Sequence, residues 1–222
     1  MAAAQDAFRG GVSGAIEVRA IDRASVEGVA ALLTDLHVSF AGLASRSMAR
    51  AICAEGIGNR RALILVARDG EHIAGTAIIL IDAGRFWKGF APRHPLLAFR
   101  IGRARWRRPE ERTPAQSPAA GPALELPPVG PDTPCWEENG PLIAKVSFIG
   151  VAEPCRNRGV GRLLYLRAFE ELARLGVRRV DARIDLHNAA SIRLHQATGW
   201  TLYRDRSGVF ATLPAPPAPS GR

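Results

Sequence analysis

Residues 154–176, "PCRNRGVGRLLYLRAFEELARLG", decide the fold of this 222-residue chain. The stretch opens with arginines around two glycines, Gly159 and Gly161, and continues as an amphipathic segment that Gly176 ends as a C-cap. The apolar stripe of that segment, at helical spacing, consists of Leu164, Ala168, Leu172 and Leu175. The sequence therefore predicts a glycine turn that runs straight into a helix.

This glycine turn has the features of an anion site. Neither glycine has a Cβ atom, so a ligand can approach the backbone closely. The free N–H groups of the first helical turn favour negative charge, and Arg156, Arg158 and Arg162 add positive charge, which indicates a pyrophosphate. The alternative is a tight strand-to-helix turn with solvated arginines, because the loop matches neither the Walker A pattern nor G-x-G-x-x-G.

The chain before this stretch predicts a strand, two helices and a hairpin. Residues 16–21 alternate between apolar and polar, and residues 26–40 have helical spacing behind Ser25, a candidate N-cap. A second helix is predicted over 45–55. Two β-rich runs then flank Asp69-Gly70, which is a strong hairpin signal.

The chain around and after the glycine turn alternates strands and helices. A β-rich run over 141–151 precedes the turn, and another over 177–186 follows its helix. A helix then begins at Asn188, and residues 200–213 can form a final hairpin. This order predicts an α+β fold in which helices cover a mixed sheet.

An insertion over residues 83–140 interrupts this pattern. Between Arg85 and Arg112 there are nine Lys or Arg residues against two Glu, a net charge of 9 − 2 = +7 out of a formal +9 for the chain. A short amphipathic helix is predicted after Pro95. Residues 109–134 are rich in proline and predict a flexible or polyproline-II-like loop.

Residues 16–213 are expected to form one domain between a flexible N-terminus, 1–15, and a disordered tail, 214–222. The longest apolar run is too short to cross a bilayer, and the N-terminus lacks the apolar centre of a secretory signal. The three cysteines are far apart and indicate neither a disulfide framework nor a zinc site. We therefore expect a cytoplasmic protein without a metal.

Two motifs together resemble the GNAT superfamily of acetyl-CoA-dependent N-acetyltransferases. The loop "VAEPCRNRGVGRLL" is similar to the family's acetyl-CoA motif, R/Q-x-x-G-x-G/A, at Arg156, Gly159 and Gly161. The segment "NAASIRLHQATGW" looks like the family's N-x-x-A/S-x-x-L-Y-x-x-x-G-F segment. Its matching positions are Asn188, Ser191, Leu194, Gly199 and Trp200. The resemblance covers residues 16–82 and 141–213 and leaves the insertion out.

The resemblance implies a central mixed, mainly antiparallel sheet with a V-shaped splay, flanked by helices. The strand at 146–151 is expected to splay from the strand at 179–185, and acetyl-CoA, as cosubstrate, to lie in the gap. Its pantetheine arm would pair with the strand edge, and its pyrophosphate would sit on the amides of the glycine loop. The residues so implied in cofactor binding are Ile149, Val151, Arg156, Arg158, Gly159, Val160, Gly161, Arg162, Asn188 and Ser191.

The proton path departs from the family pattern. His195 stands where the family often has a tyrosine, so the resemblance makes His195 the candidate catalytic acid for the leaving thiolate. The alternative is a histidine that only packs. The strand glutamate that many relatives use as a base is missing; Lys145 and Ser147 occupy the equivalent side. Cys155 is interpreted as an incidental loop cysteine.

The function that the resemblance implies is transfer of an acetyl group from acetyl-CoA to a primary amine, by direct attack in a ternary complex. The alternative is a catalytically degenerate acyl-CoA-binding protein that acts through its basic insertion on a membrane surface or an anionic polymer. The amine, on a small molecule or a peptide, and a homodimer are left open.

Several roles for the insertion are also left open by the sequence. It could form a lid over the acceptor pocket, a peripheral membrane contact through residues 85–112, or a nucleic-acid contact, the last being the partner we expect least. It could also be an insertion without a specific partner.

Overall fold

The computed structural model describes residues 16–38, 45–106, 126–130, 133–134, 138, 140–205 and 208–214. Its strands are β1 (Ile16–Ala20), β2 (Ala62–Asp69), β3 (His72–Ile81), β4 (Ile143–Val151), β5 (Arg179–Ile184), β6 (Thr201–Asp205) and β7 (Gly208–Pro214). The α-helices within these ranges are α1 (Val26–Asp35), α2 (Arg46–Gly56), α3 (Ala83–Arg93), α4 (Pro95–Trp106), α5 (Val160–Arg174) and α6 (Ala189–Ala197).

All the strands belong to one sheet in the order β1-β2-β3-β4-β5-β7-β6. Neighbouring strands are antiparallel except for β4 and β5, which run parallel. A parallel pair needs a long crossover connection, and α5 provides it by carrying the chain from the end of β4 back to the start of β5. The mixed, mainly antiparallel sheet implied by the resemblance is therefore confirmed.

Each face of the sheet carries a hydrophobic cluster, because successive strand residues point to opposite faces. On one face, α5 packs on the central strands, and its predicted stripe is fully buried at Leu164, Ala168 and Leu172. Leu175, the last predicted member of that stripe, is exposed because it lies beyond the end of α5. We call this first group the α5-side cluster.

The opposite face is covered by α1, α2 and α3. Buried residues from all three helices meet alternate residues of β2 and β3, such as Ile64 and Ile78. The helical residues in this group include Val29, Leu33, Met48, Ile52, Phe86 and Phe90. We call this second group the α3-side cluster.

The structure confirms the hairpin predicted at Asp69-Gly70 but not the helix cap predicted at Ser25. β2 and β3 pair around Asp69-Gly70, and Gly70 has the positive φ of 58° that such a turn requires. Ser25 is different, because its side chain makes no cap bond to α1. Asp22 instead accepts hydrogen bonds from the backbone N–H and the hydroxyl of Ser25, at 2.8 and 2.6 Å, and so caps a 3-10 turn that precedes α1.

The insertion begins with structure that the sequence did not predict. Residues 83–93 form α3, whose N-cap Asp82 accepts a hydrogen bond from the Arg85 amide at 3.2 Å. α3 is part of the core, since Phe86 and Phe90 are buried in the α3-side cluster. The helix predicted after Pro95 is confirmed as α4.

Residues 126–130, near the end of the proline-rich stretch, make backbone contacts with the sheet instead of forming the flexible loop that the sequence predicted. Pro128 forms a bridge to Arg204 along the outer edge of β6. The Val129 amide donates to the Arg204 carbonyl at 3.1 Å, and the Arg204 amide donates to the Pro127 carbonyl at 2.8 Å. Residues 107–125, the N-terminus 1–15 and the tail beyond Pro214 lie outside the described residues, so those predictions stand as they were.

Within the described ranges, none of the helices is both long enough and apolar enough to cross a membrane.

Candidate functional site

The central parallel pair opens partway along its length. β4 pairs with β5 only from Ile143 to Val146, opposite Arg179 to Ala182. β4 then continues to Val151 and β5 to Ile184 without further pairing between them in the described residues. The splay expected from the sequence is therefore present, and it begins directly after Val146.

The open part of β4 has one free edge. Its other edge is paired with β3, where Ile149 lies opposite Ala77 and Val151 opposite Gly75. Ile149 and Val151 are both half-buried, and β5 does not pair with the edge of β4 at these two residues. An unpaired strand edge offers backbone donors and acceptors to an extended ligand.

After β4, a 3-10 turn at Glu153–Cys155 and the glycine turn lead to the start of α5, whose first turn is not capped. The N-cap residue is Gly159, which has no side chain to satisfy the first amides. By contrast, α2, α3 and α6 each begin with a side chain that accepts a hydrogen bond from their first turn. These capping side chains are Ser45, Asp82 and Asn188.

Helix geometry leaves the amides of Val160 and Gly161 without an acceptor in their own helix, since the first bond within α5 runs from the Leu163 amide to the Gly159 carbonyl, at 3.0 Å. These two amides point out of the N-terminus, where the helix dipole favours negative charge. The sequence predicted an anion site at this turn, and the structure has backbone amides there that can bind an anion.

The turn before α5 is held in a left-handed conformation. Asn157 and Gly159 have φ values of 61° and 77°, with Arg158 between them. Arg158 donates to the Asp69 carboxylate of the β2–β3 turn at 2.6 Å, and this contact is the main cause that raises the pKa of Arg158 above its ordinary value. Arg156 is exposed and Arg162 is half-buried. Arg158 therefore anchors the turn as well as adding charge to it.

Gly161 has a packing reason for lacking a side chain. A Cβ atom at Gly161 would lie 3.1 Å from Cδ2 of Leu194 in α6 and 3.8 Å from Val151. The glycine thus lets α5 approach α6 closely at the mouth of the gap. Sequence reasoning attributed this glycine to ligand approach alone, and the structure adds helix–helix contact.

Asn188 and Ser191 lie together at the start of α6. The Asn188 side-chain oxygen accepts a hydrogen bond from the Ser191 amide at 3.0 Å, while the Asn188 side chain is exposed and Ser191 is half-buried. Both residues follow the end of β5, so they lie at the open side of the splay. This hydrogen bond caps the start of α6. Contacts of Asn188 and Ser191 with a cofactor stay a prediction.

His195 lies in a closed aromatic group rather than at an exposed surface. It is 1% exposed and contacts the rings of Tyr165 and Trp200, the latter at 4.8 Å, and Phe169 packs on both of those rings. Its Nδ1 lies 2.7 Å from the Ser191 carbonyl and its Nε2 lies 2.7 Å from the Tyr165 hydroxyl. A carbonyl only accepts, so Nδ1 carries the hydrogen and Nε2 accepts from Tyr165.

Burial controls the charge of this pair. Desolvation lowers the pKa of His195 to about 4, and the hydrogen bond to the Ser191 carbonyl opposes that change only partly. The pKa of Tyr165 is raised for the same reason. The acid role of His195 stays a prediction, and its closed surroundings favour the packing alternative.

Lys145, which lies on the side of β4 equivalent to that of the family's strand base, belongs to a buried group of polar residues. Lys145 is 8% exposed and lies opposite Asp181 in the parallel pair. Asp181 is fully buried and accepts hydrogen bonds from Arg179 at 3.1 Å and from the Thr212 hydroxyl at 2.9 Å. Burial raises the pKa of Asp181, while these bonds and the charge of Lys145 act against the rise. Ser147 is exposed at the start of the splay.

Two residues of the site were missed in the sequence. Tyr165 was counted only as part of an amphipathic helix, and Asp69 only as a turn residue. Nothing in their local pattern reveals that each meets a site residue far along the chain. Cys155, by contrast, is buried in the α5-side cluster, which agrees with its interpretation as incidental. No group of metal-binding side chains occurs among the described residues.

Comparisons with known proteins agree with this geometry. Residues 131–200 match the family model described as the acetyltransferase (GNAT) family. This range includes β4, the glycine turn, α5, β5 and α6, which are the elements that form the splay and the uncapped helix. No curated protein matches the chain by sequence.

Solved structures share the whole fold at low sequence identity. An N-acetyltransferase from Staphylococcus aureus is 14% identical, with a TM-score of 0.55 over 90% of this chain and 99% of that one. The ribosomal-protein-S18-alanine N-acetyltransferase from Escherichia coli is 14% identical, with a TM-score of 0.52 over 93% and 98%. The PaiA N-acetyltransferase from Thermoplasma acidophilum, solved in complex with coenzyme A, is 11% identical, with a TM-score of 0.54 over 90% and 99%.

Proposed function

From the match of residues 131–200 to the GNAT acetyltransferase family model, we propose that the protein transfers an acetyl group from acetyl-CoA to a primary amine. One observation carries the proposal: the free edge of β4 is followed, after the turn over residues 152–159, by the uncapped start of α5. An extended, amide-containing ligand with a pyrophosphate fits that sequence of backbone groups.

The glycine turn would hold the pyrophosphate. The amides of Val160 and Gly161 are open, and Gly159 brings no Cβ atom into their path. Arg156 is exposed beside them and can neutralise a phosphate charge. Arg158, which is already paired with Asp69, contributes mainly by fixing the turn.

The edge of β4 would hold the pantetheine arm, through the backbone of Ile149 and Val151. When bound, acetyl-CoA supplies an activated thioester carbonyl. A backbone amide on the free edge of β4 can donate to a developing negative charge on that oxygen without reorganising. This arrangement makes catalysis mainly a matter of proximity and carbonyl polarisation within a ternary complex.

The amine would approach from the α3-side face of the splay. Leu36, at the end of α1, and the Phe148 ring both come close to Gly150, since a Cβ atom there would lie within 3 Å of each. With acetyl-CoA bound, these apolar side chains would help to exclude water from the open part of β4, which would strengthen electrostatic contacts to the reacting groups.

Two proton transfers complete the reaction: the amine must lose a proton and the thiolate must gain one. The resemblance assigns the second step to His195, and this remains a proposal. An active His195→Gln variant with unchanged kcat at every pH would exclude that role. For the first step, Lys145 beside the buried Asp181 is better suited to an ion pair than to a base, which leaves a water relay or an amine already neutral in solution.

The test combines binding and turnover. Acetyl-CoA binding is measured by calorimetry, and thiol release is followed across a panel of small-molecule and peptide amines. Arg156→Glu is expected to raise the KM for acetyl-CoA severalfold with little change in kcat, because it puts a negative charge beside the phosphate site. Arg178→Glu is the matched control, since Arg178 is equally exposed but lies at the closed end of β5.

Two results would count against the proposal. Absence of acetyl-CoA binding would contradict the cofactor site. Binding without thiol release on any amine would favour the alternative of a non-catalytic acyl-CoA-binding protein.

A further inference from the structure

Helix α4 presents an apolar face to solvent. Leu96 is 80% exposed and Phe99 is 68% exposed, and their spacing of three residues puts them on the same side of the helix. The other large apolar side chains that are exposed in the described residues occur singly and are less open. These are Val129, Leu142, Leu175 and Leu186. A neighbouring pair of this kind indicates an interaction surface.

Leu96 and Phe99 are exposed although α4 is packed against the rest of the domain. Between the two exposed residues, Leu97 packs on the α3-side cluster. The hinge before α4 is also fixed, because the His94 ring lies 4.4 Å from the Phe90 ring and Arg93 donates to Glu55 of α2 at 2.7 Å. The domain therefore holds α4 in place and turns Leu96 and Phe99 outward.

Both helices of this unit, α3 and α4, carry exposed positive charge. Lys88 of α3 and Arg100 of α4 are exposed, and neither has a carboxylate partner among the described residues. Arg85 and Arg93 are paired with Asp82 and Glu55. The sequence from Arg85 to Arg112 adds further arginines, for the net charge of 9 − 2 = +7 counted above.

We propose that the α3–α4 unit docks on an anionic lipid bilayer, with Leu96 and Phe99 inserted at the level of the headgroups. Exposed leucine and phenylalanine, together with exposed lysine and arginine on the same helical unit, are the residue types that bind the interface of an anionic membrane. Each basic residue near an anionic surface adds to the attraction. The proposal goes beyond acetyl transfer and does not depend on it.

Two other uses of the insertion fit the geometry less well. Single-stranded nucleic acid binds through several open aromatic rings, whereas Phe86 and Phe90 are buried and Trp87 is half-buried in the α3-side cluster. A lid would have to reach the splay, but α3 leaves the sheet after Ile81. That residue lies opposite Ala144, where β4 and β5 are still paired.

The experiment is cosedimentation of the full chain with vesicles of phosphatidylcholine alone or with 30% phosphatidylglycerol. Binding is expected only to the anionic vesicles and should weaken with salt. Leu96→Ser with Phe99→Ser, and separately Lys88→Glu with Arg100→Glu, should each lower the partition coefficient by about tenfold or more. Matched controls elsewhere on the surface are Leu175→Ser with Val129→Ser and Arg60→Glu with Arg178→Glu, which should bind like the wild type.

A second measurement locates the contact. Phe99→Trp should be quenched by brominated lipids in anionic vesicles, and Leu175→Trp should not. Equal binding to neutral and anionic vesicles, no quenching at position 99, or binding of single-stranded RNA without binding of vesicles would each overturn the proposal. Circular dichroism of every variant checks that the fold is intact.

Discussion

Gly159 is the residue at which the turn becomes a helix. Its substitution can affect both the stability of the protein and the binding of acetyl-CoA, and the two effects can be measured separately. Its φ of 77° is left-handed, so Gly159→Ala should cost about 1–2 kcal/mol of unfolding free energy. The added methyl group would also stand before the open amides of α5. We therefore expect weaker acetyl-CoA binding in addition, measured by calorimetry alongside chemical denaturation.

The matched control for this prediction is Gly58→Ala. Gly58 has a similar φ of 66° and nothing within 4 Å of the position where a Cβ atom would lie, and it follows α2. Its substitution should cost a similar amount of stability and leave acetyl-CoA affinity unchanged. Equal affinity loss in both variants would mean that strain alone weakens binding and that the amides of α5 do not hold the cofactor.

The His195–Tyr165 pair predicts a pH dependence of stability. The pKa of His195 is lowered from 6.5 to about 4 in the folded protein, mainly by burial. The unfolded chain therefore binds a proton between those values that the folded chain does not. The stability linked to His195 is fully present above about pH 6.5 and is lost as the pH falls toward 4, with a slope of at most about 1.4 kcal/mol per pH unit.

Removing the pair should remove this slope. The double variant Tyr165→Phe with His195→Phe removes the donor and the acceptor of this bond together, and the difference in unfolding free energy between pH 6.5 and 4.5 should shrink relative to the wild type. Denaturant titrations at several pH values measure it. His72→Gln, at an exposed position in β3, is the control and should keep the wild-type slope. An unchanged slope in the double variant would mean that His195 is protonated in the folded protein.

At this scale, the sequence predicted the residues whose role is local. Gly159, Val160 and Asn188 act through their own turn or helix end, and helix-cap chemistry can be read from neighbours in the chain. The contacts of Arg158 with Asp69 and of His195 with Tyr165 join positions 89 and 30 residues apart. No local pattern carries such contacts, so the closed surroundings of His195 could not be foreseen.

At the scale of elements, α3 turns part of the basic insertion into core. Phe86→Ala and Phe90→Ala each remove a fully buried ring from the α3-side cluster and should lower the unfolding free energy by about 3–5 kcal/mol. Phe99→Ala, on the neighbouring helix, removes a largely exposed ring and should change it by no more than about 0.5 kcal/mol. Chemical denaturation compares the three. A small effect at Phe86 and Phe90 would mean that α3 is not part of the folded core.

The sequence showed α4 but not α3, and the difference has a physical cause. α3 contains Gly84, Gly89 and Pro92, which weaken its helix propensity, and its charged residues hide the spacing of its two buried rings. Tertiary packing against β3 and α2, rather than helix propensity, stabilises α3. The strands were easier to predict, because each has a β-rich run and four of them are joined in pairs by short turns.

At the scale of the whole molecule, the sheet is closed at one end and open at the other. β4 and β5 are paired at the end where α3 leaves the sheet, and they separate at the end where the glycine turn enters α5. The proposed cofactor site and the proposed membrane surface therefore use different parts of one framework. Such a layout allows the lipid contact to be removed without affecting acetyl transfer.

This framework should unfold as one cooperative unit, because the two clusters share β2, β3 and β4. Trp87 packs on the α3-side cluster and Trp200 lies in the α5-side cluster, so each face has its own probe. In variants that keep only one of these tryptophans, with phenylalanine at the other three tryptophan positions, fluorescence during denaturant unfolding should give the same midpoint as circular dichroism. An earlier midpoint for Trp87 would mean that the α3 face opens separately from the sheet, and the unfolding free energies predicted for Phe86→Ala and Phe90→Ala would then describe only that face.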